Sequence, residues 1–267
     1  MIREALSSAA EALAAMGIED PRLDAEVMLA AATGLGRAAL IADGGAELAP
    51  AASRLFGEMV RRRLRREPVA YIVGRRGFRR IELEVDRRVL IPRPETELLV
   101  ELALERRPAT LLDVGTGSGA IALAVADELP GCEVKATDTS PAALEVAKAN
   151  ARRLGLDPRV HFAAGSLPPE EDFELILANL PYVAATEWSS LQPEVTEWEP
   201  REALLSGPDG LDAIRALIPR VEVGVLALEV GEGQAETVRG LLAAAGFGAI
   251  ETRCDLAGIE RVVLGEQ

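Results

Sequence analysis

Histidine and cysteine are almost missing from this chain of 267 residues, which has one of the first and two of the second. Cys132 and Cys254 lie far apart in the sequence, so we expect two unpaired thiols in a reducing compartment. His161 stands between two apolar residues in a predicted strand, where we expect a structural role. These few side chains cannot supply the clustered nitrogen and sulfur ligands of a zinc site, and we expect no metal.

Positive charge is also scarce, because 29 lysine and arginine residues stand against 43 acidic residues, for a formal net charge of −14. This balance argues against a general affinity for nucleic-acid phosphates, and we expect no direct nucleic-acid partner. One basic cluster interrupts the pattern near the end of a predicted helix over residues 50–66, and it consists of Arg61, Arg62, Arg63, Arg65 and Arg66. No aromatic residues interleave with it for base stacking, so a solvated face that complements the helix dipole is favoured over a nucleic-acid surface.

Long apolar runs are missing as well, since no uncharged stretch is long enough to span a bilayer. The first residues, Met1 to Glu4, lack the basic region and apolar run of a signal peptide. We therefore expect a cytoplasmic protein without a membrane partner. The sequence does not establish an oligomeric state, and a monomer is the default expectation.

The chain is predicted to contain a small helical domain, a linker and a larger α/β domain. Helical spacing of apolar residues covers residues 1–67, which we interpret as a substrate-docking domain. Two predicted strands, 68–74 and 78–85, surround a glycine-bearing turn, and we interpret residues 68–92 as a β-hairpin linker.

In residues 93–267 strands alternate with helices, which is typical of a mostly parallel, doubly wound sheet. The predicted strands cover residues 110–114, 133–137, 159–163, 173–178, 223–230, 248–254 and 260–265. The predicted helices cover residues 119–129, 141–154, 209–220 and 233–246. The final two strands form a hairpin, so we expect the last strand to be antiparallel.

A glycine-rich turn follows the first strand of the predicted sheet, and it consists of Gly115, Thr116, Gly117, Ser118 and Gly119. Its glycines permit positive φ angles and let a ligand approach the backbone closely. Asp138 ends the next strand, where an acid can accept ribose hydroxyl protons. These features fit either a dinucleotide or S-adenosylmethionine. Asp113 at the end of the first strand, and the departure from Gly-x-Gly-x-x-Gly, favour the methyl donor.

A second loop, Asn179-Leu180-Pro181-Tyr182, follows the apolar run Phe173–Ala178. The Asn179 side-chain carbonyl can accept a hydrogen bond from an NH₂ group. Pro181 favours an extended backbone at Leu180, so the Leu180 carbonyl can be a second acceptor. Tyr182 supplies a flat ring for a planar group. Two acceptors and a ring indicate a clamp for an amide or an exocyclic amine.

With these loops, the chain resembles the HemK/PrmC family of S-adenosylmethionine-dependent methyltransferases, which modify the glutamine amide nitrogen (N5) of peptide chain release factors. The resemblance covers nearly the whole chain, and its most family-specific stretch is Ile91-Pro92-Arg93-Pro94-Glu95-Thr96-Glu97. It implies a seven-stranded class I methyltransferase sheet with a small N-terminal helical domain. It also implies S-adenosylmethionine as cofactor, S-adenosylhomocysteine as product and the glutamine of a release-factor Gly-Gly-Gln motif as substrate.

The resemblance further implies roles for particular residues. Gly115 to Gly119 would hold the methionine part of the donor, and Asp138 would hold its ribose. Asn179 to Tyr182 would be the catalytic residues that hold the substrate glutamine, with Asn179 touching the donor as well. Phe78 and the segment Arg93–Thr96 would be walls of the same pocket.

The chain departs from the family pattern at two places. The family usually has Asn-Pro-Pro-Tyr, whereas this chain has Leu180, which also supplies the required backbone carbonyl. Residues 165–168 replace the acid or aromatic pair often found near the adenine, so no adenine contacts are assigned. Glu197 and Glu199 follow the clamp, but we interpret them as surface carboxylates with structural roles and assign no general base.

Three other functions remain open. An adenine N6 methyltransferase acting on RNA or DNA is the main alternative, because an exocyclic amine presents the same pair of donors. Net acidity and the Ile91–Glu97 segment argue against it. An inactive release-factor-binding module and a nicotinamide-dependent oxidoreductase are the less favoured alternatives.

Overall fold

The computed structural model describes residues 1–165, 172–222 and 224–267. The chain divides into two compact units. We call Met1–Arg75 with Gln192–Trp198 the helical unit, and Arg76–Leu191 with Glu199–Gln267 the sheet unit. None of the helices in the described ranges combines the length and the apolar character that crossing a membrane requires.

The seven strands predicted over residues 110–265 are observed in the predicted order, and the chain departs from the prediction at residues 69–73, which form a helix. The α-helices are α1 (Ile2–Ala15), α2 (Pro21–Thr33), α3 (Arg37–Ala42), α4 (Pro50–Arg63), α5 (Val69–Val73), α6 (Glu97–Arg106), α7 (Ala120–Glu128), α8 (Pro141–Leu154), α9 (Pro193–Thr196), α10 (Asp212–Leu217) and α11 (Ala235–Ala244). The strands are β1 (Arg75–Phe78), β2 (Ile81–Glu84), β3 (Thr110–Val114), β4 (Glu133–Asp138), β5 (Val160–Ala164), β6 (Leu175–Ala178), β7 (Val225–Glu229), β8 (Gly248–Cys254) and β9 (Glu260–Glu266). Short 3₁₀ turns cover Pro94–Thr96, Trp188–Ser190, Arg201–Ala203 and Ile218–Arg220.

The helical unit has an apolar core of its own. Helix α1 buries Leu6 and Leu13, and α2 buries Met28 and Leu29, all at most 1% exposed. These side chains recur at helical spacing, so each helix presents one apolar face to the core. Full burial of one such side chain contributes roughly 1.5–3 kcal/mol, so the cluster gives this small unit a stabilising centre.

One predicted strand in this unit is a helix. Residues 69–73 form α5, and the Pro68 carbonyl accepts the backbone N–H groups of Tyr71 and Ile72. The β-branched sequence favoured a strand, but Ile72 packs into the helical core, and such packing overrides local propensity. The hairpin is therefore shorter than predicted and consists of β1 and β2 alone. Gly74, with φ +75°, ends α5 instead of forming the hairpin turn.

The prediction of a solvated arginine face is also wrong for part of the cluster. Arg63 is only 7% exposed and forms ion pairs with Asp24 and Glu194, each 2.7 Å long. Arg66 pairs with the same Glu194, at 2.7 Å, and Arg62 pairs with Glu67, at 2.6 Å. Three of the five arginines thus bind carboxylates within the helical unit, while Arg61 and Arg65 are exposed.

The sheet unit contains a seven-stranded sheet with the order β5-β4-β3-β6-β7-β9-β8. Strands β3 to β7 pair in parallel, and β9 runs antiparallel to both β7 and β8. The predicted α/β class, the seven strands and the antiparallel last strand are confirmed. The predicted strand 223–230 is observed as β7, and its residue Val223 lies outside the described residues.

The strand order determines where a ligand can bind. Strand β3 lies between β4 and β6, so the chain extends the sheet first towards β5 and then towards β7. Ligands of open α/β sheets bind at such a reversal point, outside the carboxyl ends of the strands. The loops after β3, β4 and β6 meet at this edge of the sheet.

Candidate active site

A cleft of about 280 Å³ opens at the carboxyl ends of β3, β4 and β6. Six of the residues predicted from the sequence line it, namely Gly115, Gly117, Asp138, Asn179, Leu180 and Pro181. Thr116 and Ser118 are buried beneath the cleft, 5% and 2% exposed, and Gly119 precedes α7. Tyr182 is half-buried after β6. The structure therefore gathers the two predicted loops at one cleft.

The glycine loop has a backbone conformation that glycine alone adopts readily. Gly115, Gly117 and Gly119 have φ angles of +76°, +55° and +87°. A Cβ atom added at Gly119 would lie 2.8 Å from the Leu123 side chain. The loop is supported from below because Asn150 Nδ2 donates to the Ser118 carbonyl over 3.0 Å. Thr116 and Ser118 are thus buried members of the loop that contact the protein interior and do not line the cleft.

Asp138 is held in place by the loop that it faces. One carboxylate oxygen accepts the Gly117 N–H over 2.9 Å, and the other accepts the Ser140 N–H over 2.8 Å. Each oxygen of an ionised carboxylate can accept a further hydrogen bond. Asp138 can therefore receive two hydroxyl donors from a ligand without giving up its backbone contacts.

Asp113 lies fully buried at the end of β3. Its Oδ2 accepts the Thr116 hydroxyl over 2.7 Å and the Ala122 N–H over 3.2 Å. Burial raises the pKa of this carboxyl to about 7, although those two hydrogen bonds act to lower it. Its Oδ1 has no hydrogen-bond partner among the described residues. This buried acid has no ion pair in the described parts of the chain, so the carboxyl beneath the glycine loop changes its charge near neutral pH.

The four residues after β6 have separate partners. Asn179 Nδ2 donates to Thr96 Oγ1 over 2.9 Å. The Leu180 side chain is buried against Gly115, where an added Cβ would lie 3.2 Å from Leu180 Cδ2. Its burial anchors the tetrapeptide to the sheet unit while Pro181 lines the cleft.

Tyr182 is fixed at both its carbonyl and its hydroxyl. The carbonyl accepts Gln234 Nε2 over 2.9 Å, and the hydroxyl donates to Glu229 Oε1 over 3.4 Å. Gly210 lies so close that an added Cβ would stand 2.1 Å from the Tyr182 carbonyl oxygen. Burial, followed by the nearby Glu229 charge, raises the pKa of the Tyr182 phenol. Tyr182 is therefore a neutral ring in a constrained position.

Three residues of the Ile91–Glu97 segment form polar contacts near this site, although none of them lines the cleft. Arg93 pairs with Glu199 at 2.5 Å, and the Ile91 N–H donates to the same carboxylate over 3.0 Å. Glu199 is 6% exposed, so the expectation of a surface carboxylate is wrong, whereas a structural role fits its contacts. Thr96 binds Asn179, as described above. Phe78 is buried, 2% exposed. Neither Phe78 nor the segment Arg93–Thr96, which were expected as walls of the pocket, lines the cleft formed by the described residues.

Sequence reasoning missed Glu229, which ends β7 next to the strand that precedes Asn179. Its side chain is 2% exposed, and burial raises the pKa of its carboxyl to about 7. A signal was present, because Glu229 is the one charged residue in the apolar run Val225–Val230. A charged residue inside a buried strand needs a specific partner or a function.

Small apolar side chains form part of the cleft lining, which also includes Arg88 and Glu202. Ala143, Ala203, Ala213 and Ala216 line it, together with Gly165. Such a surface accommodates a flat, uncharged ring system. The rest of the predicted adenine-side segment, residues 166–168, lies outside the described residues. Within the described parts of the chain, no group of three or more His, Cys, Asp and Glu side chains could hold a metal ion.

The sheet order and the position of the cleft define a class I methyltransferase fold. A solved structure with this fold is the hMettl16 catalytic domain in complex with MAT2A 3'UTR hairpin 6. It superposes with a TM-score of 0.57 at 15% identity, and the match covers 69% of this chain and 75% of that one. At that identity the likeness concerns the fold alone.

Sequence comparison identifies the family within this class. Residues 4–74 match the model described as PrmC N-terminal domain, and residues 94–194 match the methyltransferase small domain. The release factor glutamine methyltransferase of Geobacter sulfurreducens is 42% identical, over 99% of this chain and 96% of its own. That of Moorella thermoacetica is 44% identical, over 98% of this chain and 97% of its own. The chain belongs to the release factor glutamine methyltransferase family, which confirms the resemblance.

Proposed function

We propose that this chain transfers a methyl group from S-adenosylmethionine to the side-chain amide nitrogen of a glutamine in peptide chain release factors. Membership of the family supports the reaction, and the cleft supports the assignment of residues to it. The observation that carries the assignment is the contact between Asn179 Nδ2 and Thr96. With its NH₂ group engaged there, Asn179 has its carbonyl oxygen available for a substrate NH₂ group.

The cleft fits the proposed cofactor on three observations. The glycine loop lets a ligand approach its backbone, Asp138 retains capacity for two hydroxyl groups, and the alanine-lined wall suits a flat base. The acids at the ends of β3 and β4 also suit a ligand that carries positive charge on its sulfur and amino groups. When bound, S-adenosylmethionine supplies an electrophilic methyl carbon.

The residues after β6 have the task of aiming an unreactive nitrogen. An amide nitrogen is a poor nucleophile because its lone pair is delocalised into the carbonyl group. Asn179 Oδ1 and the Leu180 carbonyl accept hydrogen bonds from the two N–H groups of the substrate amide, which sets the direction of the nitrogen. One of these two protons leaves to solvent when the nitrogen gains the methyl group. Correct positioning of two reacting atoms is worth several kcal/mol, and a displacement of about 1 Å can cost about 100-fold in rate. Tyr182 holds the planar amide in this plane.

An exocyclic adenine amine offers the same pair of donors, so the clamp alone does not distinguish a glutamine from an adenine. The experiment therefore uses labelled S-adenosylmethionine with three substrates: a whole release factor, a short glutamine peptide from it, and RNA. We expect methylation of the first two, with mass spectrometry locating the added group on the glutamine side chain. Methylation of RNA in preference to the release factor would overturn the proposal.

The matched variant for this assay is Asn179→Ala. We expect its kcat to fall by about 100-fold on both protein substrates, because it removes one acceptor that aims the nitrogen. The Kd for S-adenosylmethionine should change much less, because the glycine loop and Asp138 remain intact. Equal turnover by this variant and the parent would contradict the clamp.

We also propose that the helical unit docks the release factor. Six of the seven large hydrophobic side chains that are exposed among the described residues belong to this unit, including Leu23, Ile41 and Leu55. Replacing these three by aspartate should raise KM for the whole release factor and leave KM for the short peptide unchanged. Leu256→Asp, in the exposed turn between β8 and β9, is the control. An unchanged KM for the whole protein would remove the docking role.

A further inference from the structure

The stretch that follows β2 forms part of the cleft lining although it has no regular structure. Arg88, Val89 and Leu90 line the cleft together with the glycine loop. Residues 85–93 belong to neither a helix nor a strand, so no ladder of backbone hydrogen bonds holds them in place. Their position therefore depends on contacts with other parts of the sheet unit. We call residues 84–93 the wall segment.

The first end of the wall segment is held by Asn150 of α8, whose side chain is fully buried. The Glu84 N–H donates to Asn150 Oδ1 over 2.7 Å, and Asn150 Nδ2 donates to the Glu84 carbonyl over 3.0 Å. A backbone N–H only donates and a carbonyl only accepts, so this pair of bonds fixes the orientation of the amide. The same Nδ2 donates to the Ser118 carbonyl over 3.0 Å. Asn150 thus joins the wall segment to the glycine loop.

The second end of the wall segment is held by Glu199, which is 6% exposed. The Ile91 N–H donates to Glu199 Oε2 over 3.0 Å, and Arg93 Nη2 donates to Oε1 over 2.5 Å. Glu199 directly precedes Pro200, which lines the cleft together with Ala203. Glu199 thus joins the wall segment to a third part of the cleft lining.

We propose that Asn150 and Glu199 are positioning residues for the methyl donor, which act by holding the wall segment at its two ends. The inference rests on the proposed function, in which this cleft takes S-adenosylmethionine. Neither residue lines the cleft formed by the described residues, so each acts through the backbone that it binds. A ligand that meets a wall already in place does not have to order it, and this saving appears as affinity.

The two ends of the wall segment differ in what lies beyond them. Arg93 leads directly into the 3₁₀ turn, where the Thr96 N–H donates to the Arg93 carbonyl over 3.2 Å. The Thr96 hydroxyl in turn accepts Asn179 Nδ2. Release of the Glu199 end should therefore disturb the aiming of the substrate as well as the binding of the donor. Release of the Asn150 end should disturb donor binding alone.

The test at the first end is Asn150→Ala, with the Kd for S-adenosylmethionine measured by calorimetry. We expect the Kd to rise about 10-fold, because only a fraction of the molecules has the wall in place. The kcat at saturating donor should stay close to that of the parent. A variant with the parent Kd would remove the role of Asn150.

The matched control for loss of buried hydrogen bonds is Arg159→Met. Arg159 Nη2 donates to the Leu129 and Cys132 carbonyls, over 3.2 Å each, and does not line the cleft formed by the described residues. This variant should have a lower Tm and an unchanged Kd. An equal rise in its Kd would show that the Kd follows general stability, and the inference would fall.

The test at the second end is Arg93→Met, which is less disruptive because the Arg93 side chain is 30% exposed. We expect about a 10-fold rise in the donor Kd and, unlike in Asn150→Ala, a fall in kcat at saturating donor. Arg93→Lys keeps the charge and should restore most of both values. Glu128→Gln is the control, because it removes a carboxylate that pairs with Arg79 at 3.0 Å without lining the cleft. Parent values for Arg93→Met would remove the role of the Glu199 end.

A double-mutant cycle tests whether Arg93 and Glu199 act as a pair. Once Arg93→Met has removed the cation, Glu199→Gln should raise the Kd little further, since an amide oxygen can still accept the Ile91 N–H. Multiplication of the two effects would show that the residues act separately, and the Glu199 end would lose its role.

Hydrogen exchange observes the wall segment directly. The Glu84 amide should exchange faster in Asn150→Ala, and the Ile91 amide faster in Arg93→Met. Unchanged exchange over residues 84–93 in both variants would overturn the inference. If the parent binds no S-adenosylmethionine, the proposed function fails. If the parent and both variants bind it equally well, this inference alone fails.

Discussion

Two buried acids of the helical unit and two at the carboxyl ends of the sheet strands have different kinds of partner. In the helical unit, Glu194 contacts Arg63 and Arg66, and Glu26 contacts Arg22 and Arg37. At the sheet edge, Asp113 and Glu229 have hydroxyl partners, and each has one oxygen without a hydrogen bond among the described residues.

The pKa values follow this difference in partners. Burial acts to raise the pKa of Glu194, but the two arginines outweigh it and the pKa is lowered. The pKa of Glu26 is lowered as well, mainly by hydrogen bonds from Arg37 and Arg22. Burial dominates at Asp113 and Glu229, whose pKa values rise to about 7. Acids with two guanidinium partners therefore keep their charge and hold helices together, whereas acids without one are poised to titrate near neutral pH.

The largest effect on stability is expected when Arg63, the buried guanidinium partner of Glu194 in the helical unit, is replaced. Arg63→Met leaves the half-buried Asp24 without its guanidinium partner and leaves Glu194 with Arg66 alone. Removing one partner of a buried ion pair typically costs about 3–5 kcal/mol, so we expect a loss of that order in the free energy of unfolding. Urea denaturation at pH 7 measures it. The exposed Arg215, which pairs with Asp209 on the surface, is the control, and Arg215→Met should unfold like the parent. Equal losses for the two variants would contradict the buried role of Arg63.

The same substitution at two buried acids, Glu194 and Glu229, should have opposite effects on the free energy of unfolding at neutral to alkaline pH. Glu194→Gln leaves Arg63 and Arg66 facing a neutral amide, and at pH 7 we expect a loss of roughly 3 kcal/mol. Because the pKa of Glu194 is lowered on folding, its contribution is complete above the ordinary carboxylate range and disappears as the pH falls. The difference between parent and variant should therefore shrink in denaturation curves measured at progressively lower pH.

Glu229→Gln should instead stabilise the fold at alkaline pH. The pKa of Glu229 is raised from 4.5 to about 7 on folding, so the cost of its burial is absent below pH 4.5 and complete above about 7. One pKa unit corresponds to about 1.4 kcal/mol, so at pH 8 we expect a gain of up to about 3 kcal/mol. The gain should vanish at pH 4. A variant less stable than the parent at pH 8 would contradict this prediction and would show that Glu229, like Glu194, stabilises the fold.

The sequence allowed much of this site to be predicted, because local patterns carry their own physical meaning. Three features of the site were predicted from neighbouring residues alone. They are the glycine turn after an apolar strand, the acid at the end of the next strand and the Asn179–Tyr182 loop. The sheet followed from the alternation of strands and helices. The hydrogen bond between Asn179 and Thr96 was not predictable in this way, because the two residues are 83 positions apart in the sequence and meet only in the folded chain.

The errors have the same physical origin. Residues 69–73 favour a strand locally, yet burial of Ile72 in the helical core makes them a helix. The arginines near the end of α4 looked like a surface feature, yet Arg63 meets Asp24 and Glu194, which lie 39 and 131 positions away in the sequence. Ion pairs between distant positions leave no periodic pattern, so a single sequence does not reveal them.

The return of residues 192–198 to the helical unit has a practical consequence for dissecting this protein. Cutting the chain at Arg75 would leave the amino-terminal fragment without Glu194 and without Gln192, which donates to Glu19 over 2.7 Å. The amino-terminal fragment would then keep Arg63, Arg66 and Glu19 without their partners, and the other fragment would keep Glu194 and Gln192 without theirs. Neither fragment would have the polar contacts that it has in the intact enzyme. Adding a synthetic peptide of residues 192–198 to the amino-terminal fragment should therefore restore part of the free energy of unfolding that the fragment lost.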